Sequence, residues 1–426
     1  MKKYFIILMF FIFTINLDAT TMQELFKALK KNPTVRLDEI SVNKSKLNEE
    51  KVNSLLYPKV TLFTKYDNFS SPTGSVPIPP NTLTSMVKDS SVGQPFGYNI
   101  YRIGGSFSIP IFIKSIYTFG KKAKLMSESS RAKKKINLLQ NEAILVVTNA
   151  NLLYLNSLDK SLESKLASLD ETKKTVTINV NSGRFAESEL YKIEDAMVQV
   201  NIMLNNIEIE KQNFYAQIES LTGMKITKPV QMKENFDVEV GDYKSLEPLH
   251  KKSLALEYGL KAQKEKRWWP TLSANGTYTR NYTKAYNNGA DVYENYGQVG
   301  VVLAFKLFDA QSDVDVAEAR VNKMQVQTQF EKEHLKLNAD TKAMLSSIKL
   351  LKTSHKLYEK SVKNKQRLRD IAKVSFKNGR MNMQDYLKYE DDYVAEEAKL
   401  FQTRAKLWQL KMKLSVIFGN NIEEKI

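Results

Sequence analysis

Val180-Asn181-Ser182-Gly183-Arg184 and Phe376-Lys377-Asn378-Gly379-Arg380 occupy the same place in a duplicated unit. The two glycines lie 196 residues apart. Each is followed 40 residues later by another, in Leu221-Thr222-Gly223 and Ile417-Phe418-Gly419. The 39 residues inside each pair contain neither Gly nor Pro. This pattern predicts a helix of fixed length used twice, entered through a Gly-Arg turn and closed by a glycine C-cap. A duplication of this kind governs every later assignment.

Working outward, the eleven prolines divide the chain, and none falls in 111–228 or 271–426. Between Gly120 and Gly183 there are 62 residues free of Gly and Pro, and between Gly300 and Gly379 there are 78. A 62-residue helix would be about 93 Å long, a length that predicts a coiled coil. Seven-residue apolar repeats agree: Ile193, Val200, Ile207, Phe214 and Leu221; Phe330, Leu337, Met344, Leu351 and Tyr358; Tyr386, Tyr393, Leu400, Leu407 and Leu414. Such a repeat makes helices supercoil around partners.

The stretches before the long helices read as strands. Lys59–Phe69 and Tyr98–Ile109 are rich in β-branched and aromatic residues. In Thr271–Tyr282, Leu272, Ala274, Gly276 and Tyr278 fall on one face and Thr271, Ser273, Asn275, Thr277 and Thr279 on the other. Val299, Val301, Leu303 and Phe305 continue the apolar side in the next strand. Four alternating, Tyr-rich strands in two hairpins point to a membrane β-barrel, and Trp268, Trp269 and the strand tyrosines to an interfacial aromatic girdle. Pro58 and Pro270 each end a rising helix where a strand begins. The first hairpin is 16 residues longer than the second, and the excess lies in Ser70–Gly97, which reads as an irregular loop dispensable for folding. Thr21-Met22-Gln23-Glu24 is a capping-box start for the first rising helix. The second starts near Ser245, and Asp237-Val238-Glu239-Val240 reads as a short strand between the halves.

The N-terminus has the form of an export signal: Lys2 and Lys3, an apolar run from Tyr4 to Ile15, and a cleavage point at Leu17-Asp18-Ala19. Removing residues 1–19 lowers the formal net charge from +17 to +16. No remaining stretch could span a bilayer as a helix. The absence of Cys excludes disulfides and an acylated N-terminal cysteine. With three His and no Cys, no metal site is expected; His250, His334 and His355 read as polar helix positions. Lys and Arg are spread along the helices, so no nucleic-acid partner is expected. No nucleophile–base pair or phosphate loop is present, so neither catalytic residues nor a cofactor is expected.

The order of elements, the duplication and the Gly-Arg turns together resemble the TolC family of outer-membrane efflux proteins over essentially the whole chain. The resemblance implies a mostly α protein with a membrane β-barrel: a homotrimer, each protomer giving four strands to a shared 12-stranded barrel and its helices to a long periplasmic α-barrel. The corresponding divisions are 1–19 signal peptide, 20–223 first repeat with hairpin 59–109, 224–246 linker, 247–419 second repeat with hairpin 271–305, and 420–426 tail. It also implies a tunnel closed at the periplasmic tip, roughly 90–100 Å from the barrel by helix rise. Aperture candidates on that reading are Glu189 and Asp385, each six positions after its turn glycine, with Lys388 where the family has a second Asp and Phe376 where it has a Tyr. Lys388 can pair with Asp385 at i, i+3 and blunt its field. Gly183, Arg184, Gly379 and Arg380 are the tip-turn candidates for contact with a partner. Acidic residues in a first helical turn also complement the helix dipole, a role compatible with lining a pore.

The expected function is a passive outer-membrane exit duct of a tripartite efflux or type I secretion system. Its expected partners are a periplasmic adaptor (membrane fusion) protein, an inner-membrane pump and outer-membrane lipid. The alternative is an exported coiled-coil scaffold without a pore.

Overall fold

The computed structural model describes residues 20–233 and 236–426; the predicted export signal at 1–19 lies outside the described residues. The chain forms two compact units. One comprises residues through Glu39, Lys134–Leu246 and His334–Ile426, and the other Ile40–Lys133 and Glu247–Glu333.

In the first unit the dominant elements are α4 (Lys114–Asn181) and α7 (Ala310–Lys377), which contribute to both units, with α5 (Glu187–Thr222) and α8 (Met383–Phe418). The duplication is exact in length: α4 and α7 have 68 residues each, α5 and α8 have 36 each. A 68-residue helix is about 102 Å long. α4 begins six residues before Gly120, earlier than the Gly-free stretch implied. A Cβ at Gly120 would lie 2.8 Å from Asn53 Oδ1, so the glycine allows a close helix approach without ending the helix. Of the heptad residues, Ile193, Val200, Tyr386 and Leu414 are fully buried, whereas Phe330, Leu337, Met344, Leu351 and Tyr358 of α7 are half-buried. Ile193, Val200 and Tyr386 pack with Leu155, Leu162, Leu169 and Val176 of α4, and Leu414 lies in an adjoining cluster.

A second apolar cluster closes the unit. α1 (Met22–Leu29) starts with the expected capping box between Thr21 and Glu24. It buries Leu25, Phe26 and Leu29 against Leu145, Val146 and Leu152 of α4, Ile218 of α5, and Ile422 and Ile426. The first rising helix is broken, because Pro33 opens α2 (Pro33–Ser54) and cannot continue α1. Asp237–Val240 is not the expected strand. The backbone of Glu239 bonds instead to the side-chain amide of Asn420, at 2.8 Å from its N–H and 3.0 Å to its carbonyl. Asn149 of α4 holds Val230 the same way, at 2.7 and 2.8 Å. Two amides thus replace a strand ladder along the linker.

The second unit carries an antiparallel sheet in the order β1 (Lys59–Gly74), β2 (Phe96–Ile113), β3 (Thr271–Lys284), β4 (Asp291–Ala304). Leu272 pairs with Leu303, Ala274 with Val301 and Gly276 with Val299, so the expected apolar face is continuous across the second hairpin. The opposite face is mostly polar, with Arg102 and Lys65 both reaching Asp67. One row on the apolar face is tyrosine in every strand: Tyr66, Tyr101, Tyr282 and Tyr293. Their successive ring centroids lie 4.7, 5.9 and 5.0 Å apart. β1 and β4 are the open edges.

The segment Ser70–Gly97 is not an irregular loop. β1 continues through a bulge to Gly74, and Pro80–Lys88 forms helix α3. Pro80 stands in the first turn of α3, where its fixed φ favours helix and its missing N–H costs nothing. Asn287, from the connection between β3 and β4, donates to Val92 O and accepts from Gln94 N–H, which pins the segment down.

Glu142 of α4 is only 4 % exposed. Burial, reinforced by Glu423 and opposed by Lys30, pushes its carboxyl up to about 7. Both states hold its proton in acid. As pH rises from about 4.5 to 7 the unfolded chain releases the proton first, so stability is lost across that window, by about 3 kcal/mol. Glu142→Gln should abolish this decline and raise the melting temperature at pH 7 and above, read from thermal melts across that range; an unchanged pH profile would refute it.

Candidate functional site

The two Gly-Arg turns have one backbone geometry. Gly183 has φ +72° and Gly379 φ +69°. The N–H of Gly183 bonds to Val180 O at 2.9 Å and that of Arg184 to Asn179 O at 2.8 Å. In the second turn Gly379 bonds to Phe376 O and Arg380 to Ser375 O, both at 2.9 Å. This is the Schellman cap, which satisfies carbonyls at the end of each long helix. A Cβ on either glycine would meet nothing within 4 Å, so glycine is required by its left-handed φ and not by crowding. Arg184 and Arg380 are exposed.

The helices then restart differently. Asn382 caps α8, its Oδ1 accepting from Asp385 N–H and its Nδ2 donating to Asp385 Oδ2, both at 2.8 Å. α5 follows Ala186 without a side-chain cap and has Glu187 and Glu189 in its first turn.

An aromatic contact joins the turns. Phe376 is 3 % exposed; it stacks on Tyr386 with centroids 5.2 Å apart and meets Phe185 of the first turn at 6.0 Å. It is therefore a packing residue of the helix ends. Beneath it lies a buried polar cluster. The Tyr386 hydroxyl donates to Glu390 Oε1 at 2.9 Å and lies 3.3 and 3.2 Å from the hydroxyls of Ser168 and Thr172. Burial, with Glu390 beside it, pushes the Tyr386 phenol up to about 12. Glu390 is fully buried, and among the described residues its Oε2 has no hydrogen-bond partner.

This cluster belongs to a longer polar seam between the repeats. Ser161 of α4 donates to Glu397 at 2.6 Å, Lys165 pairs with Asp391, and Ser168 donates to Glu390 at 3.0 Å. Glu171 accepts from Lys377 at 2.7 Å and Lys373 at 2.9 Å, which hold its carboxyl down at about 2. The sequence reading missed this seam. Its signal was there: polar residues at 161, 165, 168 and 172 keep a heptad spacing beside the apolar Leu155, Leu162, Leu169 and Val176.

The charged candidates are arranged differently from expectation. Asp385 is engaged by Asn382, and the expected Asp385–Lys388 pair is not formed. The equivalent pair forms in the first repeat, where Lys192 lies 2.8 Å from Glu189. Lys192 is Lys388 displaced by 196 residues, so the repeat offset alone could have found it. Asp385, Lys388, Lys192, Asp195 and Asp391 line one groove of about 1250 Å³ between α5 and α8. Among the described residues no group of three or more His, Asp or Glu could hold a metal ion.

Residues 261–420 match the family model of the outer membrane efflux proteins. No curated protein is a significant sequence match. The fold is similar to that of several solved channels. The Campylobacter jejuni CmeC outer membrane channel is 16% identical, with a TM-score of 0.77 over 95% of this chain and 87% of that one. The Vibrio cholerae outer membrane protein VceC is 11% identical, with a TM-score of 0.77 over 93% and 96%. The open state of the Neisseria gonorrhoeae MtrE outer membrane channel is 13% identical, with a TM-score of 0.74 over 93% and 88%. At these identities the likeness is one of fold.

The cap and the aromatic contact should each hold the turns by a separate mechanism. Gly379→Ala should cost about 1–2 kcal/mol through φ alone. Phe376→Ala should cost about 3–5 kcal/mol through the cavity it leaves. Hydrogen exchange over residues 372–390 measures both; a smaller effect for Phe376→Ala than for Gly379→Ala would contradict this packing.

Proposed function

We propose, for a chain that carries an outer membrane efflux protein domain on the fold of the outer-membrane channels, that three copies form one passive exit duct. The carrying observation is the sheet: four strands, an exposed apolar face, and two unpaired edges at β1 and β4. Val60, Leu62, Ile103, Val299, Val301 and Leu303 on that face are each at least 64 % exposed. Open edges are not tolerated in hydrocarbon, and four strands cannot close a barrel. Three copies joined edge to edge would supply the 12 strands that the resemblance implies. The duct does no chemistry. It takes substrate from an inner-membrane pump through a periplasmic adaptor, and drug efflux, metal efflux and type I protein secretion all fit it.

The turns at Gly183 and Gly379 are read as the periplasmic tip, with Arg184 and Arg380 as adaptor contacts. The α5–α8 groove is read as the lining of the aperture. The polar seam fits a gate: its ion pairs and hydroxyl contacts can exchange for water, which the apolar contacts beside it cannot. The scaffold alternative leaves the apolar face and the bare edges without a purpose.

Mass measurement on the detergent-solubilised protein should give a trimer, and planar bilayers should show discrete conductance steps; a stable, non-conducting monomer would sink the reading. Lys388→Asp should raise cation selectivity and block by divalent cations, and Asp385→Ala should lower both. Because Lys192 already neutralises Glu189, Lys192→Ala should also raise cation selectivity. Unchanged reversal potentials in all three variants would remove these residues from the constriction.

A further inference from the structure

The apolar face of the sheet is almost free of charge. In register order it presents Val60, Leu62, Thr64 and Tyr66 in β1, and Phe107, Gly105, Ile103 and Tyr101 in β2. β4 adds Leu303, Val301, Val299, Gly297, Asn295 and Tyr293. The cations on this face both lie on β3: Arg280 and Lys284, two residues to either side of Tyr282 in the tyrosine row.

Among the described residues, neither forms an ion pair. The side-chain contact of Arg280 is the ring of Tyr293, with its guanidinium 5.6 Å from the centroid. Asp291 stands opposite Lys284 in the register, but its carboxylate accepts from the Tyr282 hydroxyl at 2.8 Å. Both cations are exposed. At 3.3 Å per residue they stand about 13 Å apart along the strand, bracketing the aromatic row.

A cation facing lipid is costly at the bilayer midplane and close to neutral at the interface. The position of the tyrosine row decides which applies. From Thr271 to Tyr282 the strand runs about 36 Å, or roughly 28 Å along the membrane normal at a tilt near 40°. Phe112 and Trp269 meet at 6.2 Å near the start of β3. Two aromatic belts separated by about one apolar thickness put Arg280 and Lys284 at an interface, at the hairpin end of the strands. A guanidinium held against an aromatic ring with its other edge free presents a fork of donors that matches phosphate.

We propose that Arg280 and Lys284, set about Tyr282 and Tyr293, form a binding site for the anionic phosphoryl headgroup of a membrane lipid. The site rests on the reading of this sheet as a barrel wall. It gives each protomer one fixed lipid contact, on β3.

The mature full-length protein, reconstituted into vesicles of phosphatidylcholine with and without phosphatidylglycerol, tests this by flotation, re-extraction and mass-spectrometric counting of retained lipid. The wild type should retain phosphatidylglycerol in preference to phosphatidylcholine. Arg280→Gln and Lys284→Gln should each lower that preference about fivefold. Lys65→Gln, on the opposite face, should leave it unchanged. Equal retention by the wild type and the Arg280→Gln/Lys284→Gln double variant, with all proteins floating, overturns the site and leaves the barrel standing. Loss of the bound lipid to excess inorganic phosphate would show a free-oxyanion site and overturn the lipid assignment. Failure of the wild type to float with either vesicle overturns the barrel reading and the site with it.

Discussion

On the proposed reading of the sheet as a barrel wall, one constraint governs it: a backbone in hydrocarbon has no water to satisfy its N–H and C=O groups. Within the sheet every strand is paired, yet β1 and β4 each keep one bare side. The apolar face leaves Val60, Leu62, Val299 and Leu303 exposed. On the proposed reading, strands from further copies would pair the edges while lipid covers that face. The charged residues of β1 and β2 follow: Lys65, Asp67 and Arg102 lie on the face away from the apolar band.

In the helical unit a different division of labour appears. Packing inside a repeat is apolar, carried by Leu162, Leu169 and Val176 against Ile193 and Val200. Where α4 meets α8, a polar row of Ser161, Lys165, Ser168 and Thr172 runs beside an apolar cluster that also takes in Met383, Tyr386 and Val394 of α8. Apolar seams lose their whole driving force when water enters. Hydroxyls and ion pairs exchange one set of hydrogen bonds for another at small net cost. The polar row is therefore the part of the boundary between repeats that can adjust at small cost, and the shared apolar cluster is the part that resists it. Glu390 is the exception. Its unpartnered, buried oxygen makes this part of the boundary less well satisfied than the rest.

Much of this was legible in the sequence, for identifiable reasons. Gly183 and Gly379 disclosed the duplication because a left-handed cap tolerates little else. The alternation in Thr271–Tyr282 disclosed the faces of β3 because strand periodicity is rigid. The seam along α4 was hidden because Ser and Lys on a helix look the same whether they face water or a partner. Phe376 stands where the family position points to an aperture, and the sequence did not disclose that its ring is enclosed by Phe185 and Tyr386. Asp237–Val240 reads as a short strand in the sequence, but Asn149 and Asn420, far away in sequence, supply the bonds along the linker. Proline-rich composition concealed α3 because proline is a helix breaker in general and a helix starter in the first turn.

The equal lengths of the paired helices, 68 and 36 residues in both repeats, limit how such a chain can change. Deleting one residue from α4 would shift everything beyond it by about 1.5 Å and turn it by about 100°. Phe185 would leave Phe376, and the row from Ser161 to Thr172 would turn away from α8. Only the loss or gain of whole heptads, made in α4, α5, α7 and α8 together, keeps both turns level and every seam in register. Length in this fold is inherited as a quantum: the helical unit can be lengthened or shortened by coordinated steps of roughly 10 Å, and single-residue insertions belong to the hairpin connections and the linker.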